Sequence, residues 1–179
     1  MRFLLVFLFS MFTYAQNSDN NTSWYVYTDQ VMGGKSELSA NFEEGVVKLD
    51  GEVTTKNNGG FVRLAHRPDE INKNAKGIKF KAKGNNEAYE VHVTLKGMKM
   101  PPWSYLSTSF DVNDQWNEYQ ILFSDLKKNG MMAASMKPKN IREISIAGYG
   151  RDFNVDLELK DIEPVSYTHL RAHETKANL

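Results

Sequence analysis

The residues in this chain whose types and spacing could do chemistry gather in four places. The first is "DQVMGGKS", in which Asp29, Met32, Gly33, Gly34 and Ser36 put an acid, two adjacent glycines and a hydroxyl within eight positions. Paired glycines before Lys-Ser suggest a phosphate cradle, but that loop needs a further glycine five positions earlier and a helix after it. Asp29 stands at that earlier position, and "ELSANFEEG" does not continue as a helix, so nucleotide binding is rejected. The reading left is structural: Gly33 and Gly34 adopt backbone conformations closed to other residues, and Asp29 and Ser36 hydrogen-bond exposed amides nearby. The second place is the loop "LKGMKMPPWSYLS". Pro101 and Pro102 stiffen it, Lys99 gives it charge, and Trp103 with Tyr105 offers flat rings of the sort that stack on sugars or anchor a protein partner. A capping role for Trp103 over the open end of the core stands beside that reading. The third is Arg63, which alternates with Val62 and Leu64 and so points away from the core, toward a ligand or a carboxylate. The fourth is the histidines His66 and His92, neither in a metal-ligand spacing. Each reads as a solvated surface residue. No nucleophile elbow of the G-x-S-x-G kind is present, there is no cysteine, and no metal or cofactor is expected.

Short strands must position these groups. In "GIKFKAKG" Ile78, Phe80 and Ala82 alternate with lysines, and in "AYEVHVTLKG" Tyr89, Val91, Val93 and Leu95 alternate with polar residues. The same period of two runs through residues 47–49, 61–65, 106–112, 119–123, 144–147 and 153–159. Roughly eight to ten strands at this spacing imply an all-β fold, an antiparallel two-sheet sandwich. Asn58-Gly59 and "KGNNEAY" read as tight hairpins, "FSDLKKNG" as one helical turn capped by Ser124, and Trp24 and Trp116 as core.

The ends read as separate from this domain. Residues 1–15 carry a positive start, an apolar run and small residues at a cleavage position, the pattern of a secretory signal peptide. Residues 166–179 have neither strand nor helix period and resemble an artefactual read-through tail. The domain is therefore expected over residues 16–165, secreted or periplasmic, with no stable membrane span once the signal is removed. Without the two ends it holds 19 basic and 21 acidic residues, a balance that argues against nucleic acid as a partner.

Five blocks taken in order, "DQVMGGKSELS", "LDGEVTTKNNGGFVRL", "GIKFKAKGNNEAYEVHV", "WNEYQILFSDL" and "IREISIAGYGRDFNVDLELKDI", resemble the complex I intermediate-associated protein 30 family. The resemblance implies a galactose-binding-like jelly roll and a binding role without catalysis, so the chain is not expected to be an enzyme. The mitochondrial partner of that family does not suit an exported domain. Two functions follow. One is a protein-interaction or assembly module for an envelope or extracellular protein, using the loop around residues 98–105; the alternative is a carbohydrate-binding module, with Trp103 and Tyr105 on a glycan. A hydrolase is the weaker third.

Overall fold

The computed structural model describes residues 24–68, 71–97, 104–130 and 136–166. Among these, the alternating segments form two antiparallel sheets. In chain order the strands are β1 (Trp24–Thr28), β2 (Glu37–Glu43), β3 (Val46–Val53), β4 (Phe61–His66), β5 (Gly77–Gly84), β6 (Ala88–Leu95), β7 (Tyr105–Asp111), β8 (Asn117–Leu122), β9 (Lys127–Asn129), β10 (Ile141–Tyr149) and β11 (Phe153–Val165). One sheet has the order β1-β4-β10-β6-β7-β9 and the other β2-β3-β11-β5-β8. Neighbours in each sheet are mostly distant in sequence, the crossed connectivity of a jelly roll. The predicted all-β, two-sheet jelly-roll sandwich is the observed fold.

The apolar half of every period-two segment meets between the sheets. Leu49, Phe80, Ala82, Leu157 and Leu159 come from one side and Leu64, Val91, Val93, Leu95 and Ile146 from the other, all buried. Each fully buried aliphatic side chain contributes about 1.5–3 kcal/mol. Phe110 packs between the rings of Phe80, at 5.1 Å, and Tyr119, also at 5.1 Å, closing one region of this core with aromatic contacts.

Several local expectations are corrected. The segments around Asn58-Gly59 and Asn85-Asn86 are not hairpins. Each joins strands of opposite sheets, β3 to β4 and β5 to β6, so the left-handed φ values of Asn57, Asn58 and Asn86 turn the chain across the sandwich. The two-residue hairpin is Glu44-Gly45, with φ of 50° and 77°, between β2 and β3. "FSDL" forms a turn, with Asp125 N–H bonded to the Leu122 carbonyl at 3.0 Å, and runs into β9; the Ser124 hydroxyl donates to Asp125 and caps no helix. Trp24 packs against the core as expected. Trp116 does not: it is half-buried on the outer face of the five-stranded sheet beneath Lys160 at 4.2 Å and Lys83 at 5.2 Å, because cation–π contact there satisfies both the ring and the ammonium groups.

Candidate functional site

Asp29 sits in a 3-10 turn directly after β1, with its side chain wholly buried. Its Oδ1 accepts from Ser36 N–H at 2.9 Å, and its Oδ2 accepts from the Ser36 hydroxyl at 2.5 Å and from the N–H groups of Gly60 at 2.5 Å and Phe61 at 3.2 Å. Burial works to raise the Asp29 pKa, but the bonds from Ser36, Gly60 and Phe61 outweigh it and hold the carboxyl below the usual aspartate range. The glycines explain themselves at this carboxylate. A methyl group on Gly34 or on Gly59 would collide with the Asp29 side chain, so both "GG" pairs exist to let two loops close on one acid. Gly33 does take a left-handed φ of 88°, as expected, whereas Gly34 is required by crowding. The amides that Asp29 and Ser36 satisfy are buried, not exposed, since the carboxylate lies between the two loops.

This clasp fixes the end of β4 and, with it, the outer face of the six-stranded sheet. There Tyr25 and Tyr27 of β1, Arg63 of β4, Glu143 and Tyr149 of β10, Glu90 and His92 of β6 and Tyr105 of β7 stand side by side through the register Tyr27–Arg63–Ala147–Glu90. The Glu143 carboxylate accepts from Tyr25 Oη at 2.5 Å, Tyr27 Oη at 2.9 Å and Arg67 Nε at 3.1 Å. Burial and these partners push Tyr27 up to about 12 and Tyr25 higher still, so both phenols stay neutral. Arg63 Nη1 donates to Tyr27 Oη at 2.9 Å, and its guanidinium lies over the rings of Phe61 at 5.0 Å and Tyr105 at 5.4 Å. His92 pairs with Glu90 at 2.6 Å and stacks on Tyr105 at 4.2 Å. Its burial lowers its pKa despite that carboxylate.

The predicted Arg63 thus faces outward as expected, but is 1% exposed among aromatic rings. His92 is fully buried, which corrects its reading as a solvated residue: the rings of Tyr105 and Tyr149 lie over it. His66 is half-buried against Trp24 at 5.1 Å, for the same reason. Tyr105 is 6% exposed, one of the rings packed around Arg63 and His92. Lys99 and Trp103 lie outside the described residues. Tyr25, Tyr27, Glu143 and Tyr149 were missed, although the polar half of the same alternation placed the β10 side chains opposite a core face.

Where the clasp meets this face there is a cleft of about 150 Å³, lined by Met32, Thr55, Asn58, Phe61, Arg63 and Tyr149 among others. The three large apolar side chains exposed among the described residues, Val31, Met32 and Tyr149, all belong to its rim or lie one residue from it. Two buried nitrogens in the neighbourhood, Arg63 Nε and His92 Nδ1, have no hydrogen-bond partner. A second, more apolar cavity of about 240 Å³ lies at the far end of β4, lined by Trp24, His66, Ile71, Phe123 and Ile162. Among the described residues no three acidic or histidine side chains converge as metal ligands, and no helix is long and apolar enough to cross a membrane.

Solved structures similar to this one include several carbohydrate-binding modules. The family 11 module of a cellulosomal cellulase from Clostridium thermocellum superposes with a TM-score of 0.70 at 14% identity, over 86% of this chain and 94% of that one. The same family 11 module in complex with a β-1,3-1,4-mixed-linked tetrasaccharide gives 0.68 at 15% identity, over the same shares of both chains. A family 30 carbohydrate-binding module gives 0.56 at 14%, over 79% of this chain and 91% of that one. At these identities the likeness establishes the fold. No curated protein matches this chain in sequence. The family model for complex I intermediate-associated protein 30 matches residues 12–164, spanning both loops of the Asp29 clasp and all the strands described above but the last residue of β11, and the chain belongs to that family.

Proposed function

We propose that this domain is a non-catalytic binding module and that the cleft beside the Asp29 clasp receives a glycan. One observation carries this reading: a polar floor holding Arg63 lies below a mouth formed by Tyr149, on the outer face of a sheet. Sugars ask for that combination, an aromatic ring to stack on and buried donors to fix hydroxyl groups. The architecture shared with carbohydrate-binding modules, one of them solved with a tetrasaccharide, supports it. Tyr105, packed beneath the Arg63 guanidinium, supports the floor of the cleft.

The test is a glycan array probed with the full chain and with Tyr149→Ala. A glycan signal that falls about tenfold or more in Tyr149→Ala, with an unchanged melting temperature, supports the reading. Equal signals from both proteins would remove Tyr149 from it.

A second reading, assembly of an envelope or extracellular protein, draws on Val31 and Met32, which are 62% and 41% exposed beside the cleft. Exposed apolar side chains held on a rigid turn suit a protein partner. Val31→Asp, at a position outside the cleft lining, would abolish protein capture and spare glycan binding. Residues 1–15 are proposed as an export signal and residues 166–179 as lying outside the domain; amino-terminal sequencing of secreted protein, expected to begin at Gln16, checks the first.

A further inference from the structure

Arg63 is a buried cation without an ion-pair partner among the described residues. The residue is 1% exposed. The carboxylates that share its face are already engaged. Glu143 accepts two phenol protons and the Arg67 guanidinium. Glu90 is held by His92 and by Ser107; two strands away across Ala147, it feels the Arg63 charge but forms no ion pair with it. Tyr27 accepts from Arg63 while donating to Glu143, so the phenol relays a hydrogen bond and supplies no charge. The ring faces of Phe61, Tyr105 and Tyr27 at 5.0–5.6 Å give the cation partial compensation. A buried charge ordinarily has a counter-ion and a full set of hydrogen bonds. Here Nε has no acceptor, and the residue lines the cleft.

We infer that the cleft takes an acidic saccharide, and that the Arg63 guanidinium, which lines the cleft, donates to the carboxylate of a uronic acid residue in it. A planar carboxylate suits the edge of a guanidinium, and it would supply the ion-pair partner that Arg63 lacks. The cleft volume suits one ring or its acidic substituent, with the rest of an oligosaccharide lying outside past Tyr149. Thr55 and Asn58 on the clasp loop stand where they would meet that ring's hydroxyl groups. The inference rests on the glycan reading above and narrows it to one charge class.

Titration calorimetry of the full chain with an oligogalacturonate and with a neutral oligoglucan of equal length, at low and high salt, tests it. The expected result is tighter binding of the oligogalacturonate by about tenfold or more, weakening with salt. Arg63→Met should erase the preference, and Arg63→Lys, which keeps the charge but loses the planar edge, should retain part of it. Equal affinity for both ligands, or a preference that survives Arg63→Met, would overturn the inference. Binding of the neutral ligand alone would overturn it and leave the glycan reading standing, whereas retention of neither ligand defeats both. If Arg63→Met does not fold, Arg63→Lys and the salt dependence of the unmodified protein decide. A preference that ignores salt and is unchanged in the lysine variant counts against the carboxylate contact.

Discussion

Asp29 accepts four hydrogen bonds from two loops that are 31 residues apart at Gly60, and none of those donors has water to turn to. Asp29→Ala is therefore expected to destabilise the domain by about 3 kcal/mol or more, read from urea unfolding. The clasp also sets a pH dependence. Because the folded carboxyl titrates below its ordinary value of 3.8, its stabilisation is present above that value and is lost as pH falls through the lower folded pKa. Asp29→Asn should flatten this acid limb of a stability–pH profile. Gly34→Ala is expected to cost about 1–3 kcal/mol by overcrowding. Since the crowding atoms belong to Asp29, the same substitution should cost less in an Asp29→Ala background, a coupling that a double-mutant cycle measures. The acid, the glycines and the serine were legible in the sequence as one structural group. What they bind was not, because Gly60 and Phe61 reach Asp29 only once β4 has paired with β1.

At the scale of elements, alternation identified β3 to β8, β10 and β11. It missed β1 and β2, whose core-packed side chains, Trp24 and Val26 in one and Leu38, Ala40 and Phe42 in the other, are only partly buried, and β9, which has three residues. β11 and β5 carry a ladder of ion pairs on their outer face, Lys79–Glu163 at 3.1 Å, Lys81–Asp161 at 3.0 Å and Lys83–Glu158 at 3.1 Å. These pairs are solvent-screened, so Lys81→Ala should leave the melting temperature nearly unchanged, with any remaining difference fading in high salt. The crossover loop from β3 to β4 behaves differently. Asn57 has a φ of 58°, and Asn57→Val is expected to cost about 1–2 kcal/mol where Asn57→Gly is nearly neutral, as thermal melts would record. Asn-Gly pairs signal positive φ correctly, but the same signal serves a hairpin or a crossing between sheets.

For the whole molecule, a single core in a chain without cysteine implies one cooperative unfolding step. Leu157 is fully buried at the centre of the five-stranded sheet, and Leu157→Ala should lower stability by about 2–5 kcal/mol with coincident loss of signal from both sheets. Transitions that separate by probe would refute the single core. Composition and period by themselves determined an all-β sandwich, because alternation of polar and apolar side chains is a local property that either face of a strand displays. The order of its blocks carried the family. Tertiary structure alone decided which outward-facing side chains would be buried. Arg63, His92 and Glu143 each stand on the polar side of a strand, and only the pairing β1-β4-β10-β6-β7 packs them against tyrosines from distant parts of the chain. Burial on the outside of a sheet depends on neighbours across strands, and those neighbours are set by long-range pairing that no local pattern records.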